Sequence, residues 1–205
     1  MQKNTYPGKL IVFEGLDGSG QSTQAGLLRD FLVFKDYQVI LTKEPTKDSE
    51  AGKKIREVLD KKKKVSPEEL QKFFAEDRKE HLEKVIIPAL KEGKIAISDR
   101  YFFSTFAFGT GSGLDLEWLI KLNDNFLLPD LAVILRVSPK VCIERIKARG
   151  SVRTLFEEED RLARVWKVYE VLPDRFENVH IVDGERSVED VHENIKALLQ
   201  EKLEL

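Results

Sequence analysis

A chain of 205 residues with 41% hydrophobic and 34% charged side chains can bury one full-sized core behind a densely charged surface, which excludes a disordered polymer or a fibrous repeat. Its formal net charge of -2 excludes the broad basic field that drives sequence-independent binding to polymeric nucleic acid. The lone cysteine, Cys142, excludes an internal disulfide, and no spacing with His81, His180 or His192 matches a metal-ligand pattern.

One domain over residues 1–205 is expected, because no repeat and no Pro-, Gly- or Ser-rich linker divides the chain. No apolar run reaches the ~20 residues that cross a bilayer. The stretch from Met1 to Pro7 lacks the apolar core of a signal peptide, so a cytoplasmic protein with no membrane partner is expected.

In chain order, residues 10–13 form an apolar run that predicts a buried strand, and a glycine-rich stretch follows at once. Ala25, Leu28, Phe31 and Leu32 then recur at helical spacing. Residues 38–42 predict a second strand, and Ile55, Val58 and Leu59 a second helix. Lys61-Lys62-Lys63-Lys64 reads as the solvated end of that helix, before a new one capped at Ser66-Pro67-Glu68-Glu69. Further strands are predicted over residues 94–98, 131–137 and 179–182, and a last helix carries Val188, Val191, Ile195 and Leu198. Between the last two strands, Arg149-Gly150-Ser151-Val152-Arg153 interrupts a helical pattern ahead of an acidic run, as a charged, mobile flap does. Alternating strands and helices predict an α/β fold: a mainly parallel sheet with helices on both faces and ligands outside the strand C-terminal ends.

The stretch Gly15-Leu16-Asp17-Gly18-Ser19-Gly20-Gln21-Ser22, continued by Thr23, has the spacing, outer glycines and hydroxyl of a phosphate-binding P-loop, placed between a strand and a helix. Glycines let the backbone curl so that successive N–H groups point inward, and the helix start adds unsatisfied donors and a positive dipole end. Ser22 offers an oxygen to Mg²⁺. One position departs from the pattern. Gln21 stands where a lysine ammonium ordinarily reaches the outer phosphates. Glutamine keeps an N–H donor and comparable reach without the charge. Loss of one preorganised donor costs roughly 10²–10³ in rate in other enzymes, and a neutral donor recovers part of that. Arg145, Arg149, Arg153 and Arg161 are the candidates to supply the missing charge.

With the loop placed, four further strings fall into order: Lys43-Glu44-Pro45-Thr46, Phe74-Ala75-Glu76-Asp77-Arg78, Asp99-Arg100-Tyr101 and Leu128-Pro129-Asp130-Leu131. Together with Phe13-Glu14-Gly15 and the loop they resemble the thymidylate kinase family, from about residue 8 to the last helix. The resemblance implies a three-layer P-loop NTPase fold with a five-stranded parallel sheet, a lid at about residues 149–160, a homodimer, and transfer of the γ-phosphoryl of ATP to dTMP with Mg²⁺.

It also implies roles. Arg100 holds the acceptor phosphate through a forked contact, and Asp99 orients that region and the waters of Mg²⁺. Phe74 stacks on the pyrimidine while Arg78, four residues on and so on the same helix face, bonds its edge. Phe108 lies beneath the sugar and disfavours a 2′-hydroxyl. Asp17 holds the 3′-hydroxyl, and Glu44 with Pro45 shapes the opposite wall. Arg149 lies near adenine and the phosphates, and Arg153 closes over the transferred group, a burden made heavier because Gly18 stands where some relatives carry a loop arginine. The stretch from Ala107 to Gly113 lacks the glutamine common near the base, leaving Thr110 as a polar substitute.

Two alternatives stay open on the sequence: a kinase for another pyrimidine nucleotide or deoxynucleoside, and a nucleotide-binding protein made catalytically silent by Gln21. Retention of Ser22, Asp99, Arg100 and Arg153 argues against the second, since a binding protein has little chemical use for the whole set.

Overall fold

The computed structural model describes residues 1–148 and 155–205, with side chains described outside 149–158. All five predicted strands form: β1 (Lys9–Gly15), β2 (Val39–Lys43), β3 (Ile95–Asp99), β4 (Leu131–Arg136) and β5 (Val179–Asp183). They make one parallel sheet in the order β2-β3-β1-β4-β5. Strand side chains alternate between faces, so a strand covered on both sides must be apolar throughout. Leu10, Val12, Ala96, Ala132 and Ile134 enter one core; Ile11, Phe13, Ile95, Ile97, Val133 and Leu135 enter the other.

Helices α1 (Gln21–Phe34) and α9 (Val188–Leu203) close the second core with Ala25, Leu28, Leu32, Val191, Ile195 and Leu199. The first core is closed by α5 (Phe102–Gly111), α8 (Leu155–Val171) and a π-helical turn at Leu82–Ile86, and is dense in aromatic rings from Phe102, Phe103 and Phe106. The turn continues α3 (Pro67–His81), and α4 (Ile87–Lys91) follows it. Three layers result, as expected. The predicted cap is present too: the Ser66 hydroxyl accepts from the Glu69 amide at 3.1 Å, with Pro67 in the first turn of α3. Ser49, Asp115 and Ser187 cap α2 (Glu50–Leu59), α6 (Leu116–Leu122) and α9 in the same way.

Register fixes what meets at the C-terminal edge of the sheet. Asp99, at the end of β3, is the Cα partner of Phe13 on β1 and of Lys43 at the end of β2. β1 lies between β3 and β4, and the chain leaves it for β2 on one side and later returns to β4 on the other. The C-terminal end of β1 is therefore the topological switch point, where α/β sheets bind ligands.

Candidate active site

The turn from β1 into α1 is built for an anion. The first residue before α1 is Gly20, in a left-handed conformation with φ 102, and no side chain caps the helix. Its early N–H groups are therefore left to the cavity in front of them. Gly18 (φ +88) packs against α7 (Pro139–Ala148) so tightly that a Cβ there would lie 2.7 Å from the Cys142 carbonyl. The same contact explains the absence of a loop arginine at this position: there is no room for its stem.

In front of the loop lies a cavity of about 310 Å³. The loop side of its wall comes from Asp17, Gly18, Gly20, Gln21, Ser22 and Thr23, and the far side from Lys43, Glu44, Pro45 and Arg100. Arg56 and Leu59, from α2, complete it. Sequence reasoning placed neither of these two at the site, and it read Leu59 as part of an apolar helix face. The signal was thin, because Leu59 is 44% exposed and faces the cavity rather than a core.

Arg100 follows β3 directly, in the left-handed region at φ 79, a conformation that costs a non-glycine residue about 1–3 kcal/mol. Surrounding contacts hold it there. Its amide donates to the Phe13 carbonyl at 2.9 Å, Nη2 to Asp17 Oδ1 at 2.8 Å, and Nη1 to Ser104 Oγ at 2.9 Å and the Gly15 carbonyl at 3.1 Å. Burial opposes its charge, but Asp17, Tyr169, Glu14 and Asp99 outweigh that and hold its pKa above the usual value. The guanidinium also lies 5.4 Å from the centre of the Phe108 ring.

Glu14 lies directly behind Arg100 and is fully buried. Its carboxylate accepts from the Tyr101 amide at 2.9 Å, the Ser104 hydroxyl at 2.5 Å and the Tyr169 hydroxyl at 3.1 Å. Burial nevertheless pushes its pKa up to about 7, against the pull of the Ser104 bond, Arg100, Tyr101 and Tyr169. In the sequence Glu14 has a place in the string Phe13-Glu14-Gly15 but no role of its own, since its partners come from Tyr101, α5 and α8.

Gln21 turns inward. It is 5% exposed, its Nε2 donates to the Gly15 carbonyl at 2.9 Å, and its Oε1 lies 3.4 Å from Arg100 Nη2. One of the two N–H donors of that amide is thus used within the loop. Of the four arginines suggested by the sequence to replace the lysine charge, Arg145 bonds to backbone carbonyls of Ser19 and Gly184 at 3.4 and 3.3 Å. Arg161 lies 5.9 Å from the centre of the Phe108 ring. Arg149 and Arg153 lie outside the described residues, as does the first part of the expected lid; from Leu155 that segment is helix α8.

At the far wall, Lys43 Nζ lies 2.5 Å from Asp99 Oδ2 and 3.1 Å from Ser22 Oγ, and Ser22 donates to the same Asp99 oxygen. Glu44, joined to Pro45 by a cis peptide bond, is buried between Arg78 and His81. Arg78 gives Nε to Glu44 at 2.8 Å, Nη1 to Asn123 at 2.6 Å and Nη2 to Thr105 at 3.3 Å. Asp77 accepts from the amide of Thr46 at 2.8 Å and from the hydroxyls of Thr46 and Ser49. The strings 43–46 and 74–78 are therefore two halves of one buried network. Phe74, Phe108 and Thr110 are half-buried outside this cavity wall, and Thr110 Oγ1 is buried without a protein partner.

Comparison with known proteins adds an independent line. The family model for thymidylate kinase matches residues 13–195. A probable thymidylate kinase of Pyrococcus horikoshii is 43% identical over 201 residues, covering 96% of this chain and 98% of that protein. Another from Thermococcus onnurineus is 46% identical over 203 residues, covering 94% and 98%. The crystal structure of a thymidylate kinase from Ehrlichia chaffeensis superposes with a TM-score of 0.77 at 27% identity, covering 94% of this chain and 99% of that one.

Proposed function

We infer that this chain, which belongs to the thymidylate kinase family, transfers the γ-phosphoryl group of ATP to dTMP and releases dTDP and ADP. The observation that carries the reading is one shared space: the uncapped start of α1 and the cations Arg100, Lys43 and Arg56 face the same cavity. An oxygen of the dTMP phosphate bonds to the γ-phosphorus while the bond from that phosphorus to the β,γ-bridging oxygen breaks, and the electron pair departs with ADP. No enzyme nucleophile takes part, so the protein aligns two anions and neutralises their charge.

Residue roles form part of the proposal. Arg100 holds the acceptor phosphate with a fork steered by Asp17 and Ser104. The loop from Gly15 to Thr23 cradles the donor phosphates through its N–H groups. Asp17 takes the 3′-hydroxyl, Glu44 and Pro45 form the facing wall, Phe74 meets the base, Arg78 backs that wall through its bond to Glu44, and Phe108 and Thr110 border the sugar and base. Arg149 and Arg153 cover the donor and the transferring group. Magnesium suits the donor set: Ser22 and Asp99 present hard oxygens, and Asp99 Oδ1 is buried without a protein partner. When bound, the ion would screen charge on the transferring phosphoryl group.

A cytoplasmic homodimer completes the proposal. It rests on the family resemblance. Sedimentation of the purified chain tests the dimer. Rates with dTMP, dUMP, UMP, dCMP and thymidine at fixed ATP test the acceptor. Preference for dTMP is expected, and a faster reaction with another member of the panel would reassign the substrate.

A further inference from the structure

The phosphate loop lacks its lysine, and the structure offers a replacement from another strand. We propose that the Lys43 ammonium is the mobile cation that meets the phosphates during transfer, in place of the side chain that Gln21 cannot supply. The proposal rests on the phosphotransfer reading above.

Four observations converge on it. Lys43 ends β2 in register with Asp99, which carries its head group across the sheet edge to Ser22, the residue next to Gln21. Among the described cations that line the cavity, Lys43 is the one that touches the loop hydroxyl. The anchor is fixed and the cation is not: the Asp99 side chain is 6% exposed, that of Lys43 56%. Gln21 is held in the loop by its bond to the Gly15 carbonyl, and Gly18 leaves no room for an arginine.

Competition makes the lysine move. The ammonium lies on Asp99 Oδ2 and 3.1 Å from Ser22 Oγ, so a magnesium ion drawn to Asp99 Oδ1 and the same hydroxyl would stand within a few ångströms of it and repel it. With the ion held there, Lys43 would give up Asp99 and swing into the cavity. The two described carboxylates that line the cavity, Asp17 and Glu44, are already paired with Arg100 and Arg78, which leaves the substrate phosphates as partners for the released ammonium. A lysine follows charge on a flexible stem, so its contact strengthens as the phosphoryl group transfers.

The test compares Lys43→Met, Lys43→Arg, Gln21→Lys and the Gln21→Lys/Lys43→Met double variant with the native chain. Two readouts are used: steady-state constants, and calorimetric titration of Mg²⁺ into the protein saturated with ADP. Lys43→Met is expected to lower kcat by about 10²-fold, with the dTMP KM within about threefold. Gln21→Lys should return at least about tenfold of kcat in that background and much less in the native one, and Lys43→Arg should retain more activity than Lys43→Met. In the titration, Lys43→Met should bind Mg²⁺ severalfold more tightly because its competitor is gone.

A kcat within about twofold of native, or a loss that Gln21→Lys does not relieve, overturns the assignment and leaves Lys43 as a tether for Asp99. An unchanged Mg²⁺ titration overturns it as well. Absence of native turnover with the Mg²⁺ shift intact would instead sink the phosphotransfer reading, and Lys43's part in transfer with it, while the exchange of Lys43 for Mg²⁺ would stand.

Discussion

Glu44 and Arg78 form an ion pair sealed from solvent, with Nε 2.8 Å from Oε2 and side-chain exposures of 3% and 1%. The pair joins the loop after β2 to α3, and Asp77 joins the same loop through Thr46 and Ser49. Removing Arg78 leaves the buried Glu44 carboxylate with only its contact to His81 Nδ1 at 3.1 Å, which costs about 3–5 kcal/mol. Arg78→Met should therefore lower Tm by roughly 10 °C, seen in a thermal melt. Weakened dTMP binding at unchanged Tm would instead assign Arg78 mainly to the base.

Glu14 gives the fold a pH dependence whose sign is fixed. Its pKa rises from 4.5 to about 7 on folding, so its share of stability is complete below the unfolded value and is lost as pH rises through about 7. That shift corresponds to about 3 kcal/mol at most. The groups facing it, Tyr101, Ser104, Tyr169 and Arg100, all favour the ionised form, and burial outweighs them. Between about pH 5 and about pH 8 the native chain should lose stability relative to Glu14→Gln, which keeps the shape without the ionisation. Parallel melting curves for the two proteins would remove Glu14 from the account.

Gly18 is predicted to be intolerant of any side chain. A left-handed backbone alone costs an alanine about 1–2 kcal/mol, and the Cys142 carbonyl at 2.7 Å adds a clash. Gly18→Ala should weaken ADP binding measured by calorimetry, because the loop must shift away from α7 to fit the methyl group. Unchanged affinity would mean that the loop geometry is looser than described.

Much of this architecture was legible in the sequence, for a physical reason. Strands covered on both faces must be continuously apolar, so β1, β3 and β4 stand out, and the glycine-rich loop and the Ser66 cap carry local chemistry. Long-range partners carry no such mark. Glu44 and Arg78, Glu14 and Tyr169, and Lys43 and Ser22 each meet only through the fold. The π-helical turn at Leu82–Ile86 breaks no apolar pattern and leaves no sequence signal. In α9 the buried series is Val191, Ile195 and Leu199, with Val188 47% exposed and Leu198 only partly buried, a rotation of the face that periodicity alone does not resolve.

Arg153 lies outside the described residues, and its proposed role over the transferring group makes a kinetic prediction. Arg153→Ala should depress kcat far more than it raises the dTMP KM, because the contact strengthens in the transition state. Equal losses in both constants, or none in either, would take Arg153 out of the mechanism.

The central claim is that the chain turns over without the loop lysine. Steady-state formation of ADP and dTDP from ATP, Mg²⁺ and dTMP by the purified native protein, with Gln21→Lys alongside, tests it most directly. The account predicts equimolar ADP and dTDP from the native chain. Binding of ATP with no dTDP even at high enzyme concentration, and turnover only after Gln21→Lys, would contradict it.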